Sequence, residues 1–297
     1  MLKKKVTVIG SINMDLVTTT RVRPDVGETV LGETFSTIPG GKGANQAVAA
    51  ARLGADVTLI GCVGNDLFGQ QLRQHLQHEN ITFCEVAKQT NKHTGIASIT
   101  ISDHDNSIIV VPGANAEVTE EAIKPYVKVI AESDMILMQL EIPIHTVEHV
   151  IRVASRSNVP VIVNPAPFQM LSNDVMEKVA YLTPNEHEEK RLKNQGDFKE
   201  KLIVTKGSEG ATVWKNGDSV NIPSYKVEVL DTTGAGDAFN GAMAVALSEG
   251  KELIEACQFA NAVGALAVTK LGAQNGMPTK KEVEHFLIDR KRREDTK

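Results

Sequence analysis

Asp231-Thr232-Thr233-Gly234-Ala235-Gly236-Asp237 runs straight into an Ala-rich stretch that favours helix. Gly234 and Gly236 free the backbone for close approach to a ligand. Unpaired N–H groups at a helix start point at an anion, and the helix dipole adds roughly half a positive charge there. An acid inside such a site is unsuited to simple anion binding, because Asp237 would repel phosphate. It suits a site where Asp237 takes a proton from a hydroxyl that attacks phosphorus. The competing explanation is structural: Asp237 favours the helix dipole and the glycines make a turn. A dinucleotide fingerprint fits less well, because Phe239 stands where the third glycine belongs.

Gly40-Gly41-Lys42-Gly43-Ala44-Asn45 also opens a helical stretch. It is not a Walker A loop, since neither Ser nor Thr follows Lys42. Its Lys and Asn side chains suit the hydroxyls of a polar ligand, although Gly-rich helix entries are common without one. Asn13 and Asp15 follow the first apolar run, and Glu141 follows the run at 135–138. Ligands of open α/β sheets sit beyond the carboxyl ends of strands, so these residues would line a hydroxyl-binding cleft. Taken singly, each also fits a polar surface loop. His145-Thr-Val-Glu148-His149 matches a zinc-peptidase spacing. However, Val147, Val150, Ile151 and Ala154 form the apolar stripe of that helix, which leaves His145, Glu148, His149 and Arg152 to solvent. Glu148 and Arg152 stand four apart, ready to pair. His75 and His78 read as solvated in the same way, and Trp214 reads as packing within a strand.

These residues need elements to position them. Short apolar runs at 6–9, 57–62, 135–138, 159–163 and 202–205 read as buried strands. Helical stretches at 44–53, 70–79, 120–131 and 144–157 alternate with them. That alternation predicts a mostly parallel sheet with helices on both faces. Two Thr/Val/Ile-rich segments, 30–38 and 95–111, break the rhythm, the second with turn residues Asp103, His104, Asp105 and Asn106. They predict a small β excursion that acts as a lid or a subunit interface. Helices follow at 235–248, 252–269 and 279–290, the last with Thr279 and Glu282 at capping-box spacing. No internal repeat or linker divides the 297 residues, so one domain is expected.

Composition narrows the partners. Thirty-two Lys and Arg against 37 Asp and Glu leave a net charge of −5, which argues against a nucleic-acid partner. Any anion site must be local. Three cysteines at long spacings (Cys62, Cys84 and Cys257) form neither a disulfide framework nor a zinc knuckle. The apolar run after Lys3–Lys5 meets Asn13 and Asp15 too soon for a signal peptide, and no run is long enough to span a membrane. A cytoplasmic protein is expected.

Gly10-Ser-Ile-Asn13-Met-Asp15, Gly40-Gly-Lys-Gly-Ala-Asn45-Gln-Ala-Val, Asn164-Pro-Ala-Pro167, Pro184-Asn185-Glu-His-Glu188 and Asp231-Thr-Thr-Gly-Ala-Gly-Asp237 resemble, in order and position, the ribokinase-like (PfkB) sugar kinases. The resemblance covers nearly the whole chain. It implies a three-layer α/β/α sandwich with a mostly parallel central sheet and a small β lid, here segments about 12–38 and 95–111 of a single 1–297 kinase domain. It also implies a homodimer through that lid. The implied reaction moves the γ-phosphoryl of ATP, with Mg²⁺, to O5 of D-ribose.

By the same resemblance, Asp237 is the catalytic base and Gly234, Ala235 and Gly236 the anion hole. Asn13, Asp15, Gly41, Lys42, Asn45 and Glu141 correspond to sugar contacts. Asn185 and Glu188 correspond to a motif near phosphate and the Mg²⁺ water shell, and Thr205, Gly207, Gly236 and Asn261 to nucleotide contacts. Asp231, Thr233, Ala267, Lys270, Gly272 and Gly276 correspond to a site for an activating K⁺. The sequence departs from the family pattern twice. Gly276 stands where a Ser is often found, and the run from Asn185 to Thr205 is short, which implies a trimmed surface beside the nucleotide. The alternatives are a kinase for deoxyribose, fructose, a deoxy-keto acid or a nucleoside, and a non-catalytic sugar sensor. The low aromatic content, 4%, gives little material for stacking a nucleoside base.

Overall fold

The structure, a computed structural model, describes residues 3–88, 90–102, 105–192 and 198–294. The chain opens with Lys5–Ile9 (β1), Asn13–Thr20 (β2) and Gly32–Gly40 (β3), then helix Lys42–Arg52 (α1) and Asp56–Gly61 (β4). Helix Leu67–His78 (α2), Thr82–Glu85 (β5), Gly95–Ser102 (β6) and Asp105–Val111 (β7) follow. Short helices Glu120–Ile123 (α3) and Val127–Ala131 (α4) lead to Met135–Gln139 (β8), helix Ile144–Arg156 (α5) and Val161–Asn164 (β9). Next come Asn173–Met176 (α6), Tyr181–Leu182 (β10), Glu186–Leu192 (α7), Ile203–Thr205 (β11), Ala211–Lys215 (β12) and Asp218–Ile222 (β13). Helices Ala235–Ser248 (α8), Leu253–Ala267 (α9), Ala273–Gly276 (α10) and Lys280–Glu294 (α11) close the chain.

Six strands make one parallel sheet in the order β10-β9-β8-β1-β4-β5. Both faces are covered, which is why these strands read as continuous apolar runs. Alternate residues feed two cores. Val6, Val8, Val57, Leu59, Met135 and Leu137 enter the core shared with α1, α8 and α9. Ile9, Ile60, Ile136 and Met138 enter the opposite core, with Val147, Val150 and Ile151 of α5. This two-sided burial is the three-layer sandwich. Antiparallel β11-β12-β13 joins the sheet through a bridge between Leu182 and Leu202, and Trp214 packs against the second core.

A separate four-stranded sheet, β3-β2-β6-β7, stands off the body. It contains both irregular segments read from sequence, with β2 between them, paired antiparallel to β3 and parallel to β6. Asn13 and Asp15 follow β1 directly and open β2, inside the 12–38 segment. Two local readings need correction. Asp105 and Asn106 belong to β7, not to the turn, and Asp103 and His104 lie outside the described residues. The helix expected at 120–131 is two short helices joined by a 3₁₀ turn at Lys124–Tyr126, because Pro125 has no N–H for the helical ladder. Of the short 185–205 run, residues 193–197 also lie outside the described residues. The capping box at α11 forms: Thr279 N–H donates to Glu282 Oε2 at 2.7 Å, and Glu282 N–H to Thr279 Oγ1 at 3.4 Å. Among the described residues no helix is long and apolar enough to cross a membrane.

Candidate active site

From β1 the sheet grows one way through β4 and β5 and the other way through β8, β9 and β10. The order reverses at β1, so a crevice opens beyond its carboxyl end and that of β8. A cavity of about 530 Å³ lies there, lined by Asn13, Asp15, Lys42, Asn45, Glu141 and Asp237 among others. Ala97, Ile99, Ile108 and Val110 of β6 and β7 line it from the side of the four-stranded sheet. The starts of α1 and α8 reach it together because the two helices cross closely. A Cβ on Gly241 would sit 2.6 Å from the Ala49 Cβ and 2.8 Å from the Gln46 carbonyl oxygen, so only glycine allows this approach.

The β1–β8 end is acidic and strongly tied. Ser11 Oγ donates to Glu141 Oε2 at 2.5 Å, and Lys42 Nζ lies 3.9 Å from Glu141 Oε1. Asn115, buried after β7, takes the Ile12 N–H at 2.9 Å and donates to Asn13 Oδ1 at 2.7 Å. It thereby fixes the amide that Asn13 presents. The Asp15 carboxylate lies over Gly40, where a Cβ would come within 2.3 Å of it. Burial, then repulsion from Glu141 and Asp237, pushes Asp15 up to about 7, against the opposing pull of Lys42. For Lys42 burial disfavours the charge, but Asp237, Glu141, Glu188 and Asp15 outweigh it and hold its pKa above the ordinary value. Lys42 therefore stays charged beside four carboxyl groups.

Asp237 is buried in the first turn of α8 and meets one amide on each oxygen. Asn45 Nδ2 donates to Oδ2 and Gln46 Nε2 to Oδ1, both at 2.9 Å. Gly234 precedes the helix in the left-handed region, at φ 76°, packed against Ala273. A Cβ on Gly236 would meet nothing within 4 Å, so that stretch of backbone faces open space. A carboxylate with clear access to the cleft, beside exposed backbone at a helix start, can accept a proton next to a bound anion.

Behind this helix start, Asp231 Oδ1 accepts the Thr233 N–H at 2.9 Å and Oδ2 the Gly272 N–H at 2.8 Å. Burial alone would raise the Asp231 pKa, but these bonds win and hold it below the usual range. Each oxygen keeps a lone pair for a cation. The Lys270 side chain turns outward to Glu282, 3.0 Å away, so only its backbone carbonyl is available. The Gly276 departure has a steric reason: a Cβ there would lie 2.3 Å from the Ala267 carbonyl oxygen. Asn185 and Glu188 form a reciprocal cap on α7, each N–H donating to the other side chain at 2.9 Å. Thr205 sits beside them through its bridge to Asn185, and Gly207 opens the next turn. Asn261 is buried, its Nδ2 donating to the Ile222 and Pro223 carbonyls. Of the residues singled out from sequence, the cavity gathers Asn13, Asp15, Gly41, Lys42, Asn45, Glu141, Asp231, Thr233, Gly234, Gly272 and Asp237. Asn185, Glu188, Thr205, Gly207 and Asn261, expected to contact nucleotide, are not among its lining, nor are Ala235, Gly236, Ala267, Lys270 and Gly276.

A family comparison spans nearly the whole chain. Residues 3–280 match the pfkB family carbohydrate kinases. The chain belongs to that family. This kinase is 45% identical to the ribokinase of Bacillus subtilis over 96% of its own length and 99% of that protein's. It is 43% identical to the Lactococcus lactis ribokinase, over 95% and 97%. Its fold superposes on Arabidopsis thaliana ribokinase complexed with ribose and ATP at a TM-score of 0.88 and 30% identity, over 96% and 99% of the two chains.

The other sequence signals resolve into structure. Glu148 of α5 accepts the Ser172 N–H at 2.7 Å and faces Arg152 at 3.2 Å, so its carboxylate serves the fold. Burial pushes the Cys62 thiol up to about 11 and the Cys257 thiol up to about 12, which leaves neither as a thiolate at neutral pH. Sequence reading missed Ser11, Gln46, Asn115, Gln139 and Gln274. Gln139, two before Glu141, donates through Nε2 to Gln46 Oε1 at 2.6 Å and so orients the amide that Gln46 gives to Asp237. Ser11, Gln46 and Gln274 lie within stretches already singled out, at 10–15, 40–48 and 267–276. Asn115 carries no such signal.

Proposed function

We propose that the protein phosphorylates D-ribose at O5, using ATP and releasing ADP. The observation that carries this reading is the Asp237 carboxylate, aimed by two amides at the start of a helix inside the cleft that also holds Asp15, Asn13 and Glu141. Its relatives of 38–45% identity named ribokinase support the choice of sugar. Asp15, Asn13, Gly41, Lys42, Asn45 and Glu141 bind the sugar hydroxyls. Asp237 takes the proton of the attacking hydroxyl. The backbone of Gly234, Ala235 and Gly236 holds the transferring phosphoryl, and Lys42 offsets its charge. Asn185, Glu188, Thr205, Gly207 and Asn261 form the nucleotide side.

Asn185 and Glu188 would hold the water shell of a Mg²⁺ ion bound with ATP, which would neutralise phosphate charge. A K⁺ ion fits the donor set of Asp231, the Thr233 and Ala267 carbonyls and the loop from Lys270 to Gly276. The whole chain acts as one kinase domain in the cytoplasm. Segments 12–38 and 95–111 close over the sugar and exclude water, so ATP hydrolysis without sugar is slow. The face of the four-stranded sheet turned away from the cavity carries exposed Phe35 and Ile109, which supports a homodimer through the lid.

The test is ADP release with MgATP, K⁺ and a panel of D-ribose, deoxyribose, fructose and adenosine. Fast turnover with ribose alone is expected. Turnover with another sugar overturns the substrate, and silence across the panel favours a sugar sensor. Asp237→Asn should lower kcat about 10²- to 10⁴-fold while ribose binding and folding persist. A near-normal rate would remove Asp237 as the base.

A further inference from the structure

The hydrogen bonds around Asp237 have a direction. An ionised carboxylate only accepts, so Asn45 must turn its Nδ2 towards Asp237 Oδ2, 2.9 Å away. That leaves Asn45 Oδ1 facing Gln274, whose Nε2 donates to it at 2.9 Å. Gln274 Oε1 is then left for His75, whose Nε2 lies 2.6 Å away and must carry the proton. Three side chains from α2, α10 and α1 thus form a one-way file of donors ending on Asp237. Gln274 is buried, and Arg52 pins its carbonyl at 2.5 Å and that of Met277 at 2.9 Å.

From this geometry we infer that Gln274 is a positioning residue for phosphoryl transfer: it holds the Asn45 amide with its nitrogen towards Asp237. The inference rests on Asp237 being the base. Without the Gln274 donor, the Asn45 amide is free to rotate by half a turn. Its oxygen would then oppose the carboxylate, and Asp237 would lose both its bond and its aim. Gln274 does not line the cavity; its effect passes through Asn45.

Two substitutions separate orientation from simple space filling. Gln274→Glu keeps the shape but sets an acceptor against Asn45 Oδ1, which favours the reversed amide. Gln274→Leu removes the donor without adding an acceptor. An orienting role predicts that Gln274→Glu lowers kcat the more, about 10- to 100-fold, with KM for ATP little changed. A space-filling role predicts the opposite order, because Glu is the closer replacement.

The decisive measurement is a double-mutant cycle with Asp237→Asn, read as kcat for ribose on the full-length protein. An Asn at 237 has both a donor and an acceptor, so it pairs with either orientation of Asn45. The Gln274→Glu effect should therefore shrink to less than about twofold in that background. Equal losses in both backgrounds, or no loss in the single variant, overturn the inference. Near-normal turnover by Asp237→Asn alone overturns the base assignment instead, and is read separately from the cycle. If Gln274→Glu does not fold, the same cycle is run with Gln274→Leu under the same criteria.

Discussion

Asp15 gives a prediction that can be worked through in numbers. Its carboxyl sits at about 7 in the folded protein, against an ordinary 3.8, because it is buried near Glu141 and Asp237. Between those two values the folded state binds more protons than the unfolded chain. Stability therefore rises as pH falls through 7 and levels off below 3.8. At pH 8 the ionised Asp15 costs the fold up to about 4 kcal/mol, from about 1.4 kcal/mol per tenfold change in proton affinity. At pH 5 the cost falls to about 2 kcal/mol. Asp15→Asn is neutral throughout, so it should be the more stable protein at pH 8, by a margin that halves at pH 5. Thermal or urea unfolding at the two pH values measures this directly. If Asp15 binds the sugar as proposed, the sugar hydroxyls need its ionised form, whose population drops from about 90% at pH 8 to about 10% at pH 6. Ribose affinity measured by calorimetry should fall about tenfold over that range in wild type and stay flat in Asp15→Asn. A margin of stability independent of pH, or a wild type more stable than Asp15→Asn at pH 8, refutes the reasoning.

Two further perturbations test how the cleft is built. Asn115→Ala strips partners from the Ile12 N–H and from Asn13 Oδ1, both buried. It should lower the unfolding free energy by about 2–3 kcal/mol, read as a lower urea midpoint at unchanged m, and raise KM for ribose as Asn13 loses its aim. Gly241→Ala places a Cβ 2.6 Å from that of Ala49 and forces α1 away from α8. It should cost about 1–3 kcal/mol in unfolding measurements and lower kcat more than it raises KM for ATP. Unchanged kcat in Gly241→Ala would mean that the helix crossing does not set the Asp237 geometry.

Strands of the parallel sheet were legible because burial on both faces leaves an apolar run with no polar face. The start of α8 was legible because glycines, an acid and an Ala-rich helix stand together. In the four-stranded sheet, periodicity marked β3, β6 and β7, and β2 came only with the 12–38 segment that the resemblance implied. Thr and Val in β2 alternate weakly, and Asn13 and Asp15 at its start look like loop residues until β3 and β6 pair with them. Pro125 was a visible helix breaker whose weight the helical period concealed. The amides around Asp237 were beyond reach for a different reason. Asn45 and Gln46 are consecutive, and neighbours on a helix do not usually share a face. Both reach Asp237 because α8 crosses over the first turn of α1. Gln274 meets Asn45 across 229 residues of chain, a contact that no local pattern announces.

The donors that surround Asp237 also decide where its proton goes. Hydroxyls or waters in a row can relay a proton by exchanging bonds, but a carboxamide neither gains nor loses one at neutral pH. Asn45 and Gln46 therefore act as insulators: they orient the carboxylate and close it off from the interior. With Asp237 as the proposed base, a proton taken from a substrate hydroxyl would leave it only by the cleft face. Recharging the base would then be tied to the departure of product, and each turnover would end with that face open to water before the next began.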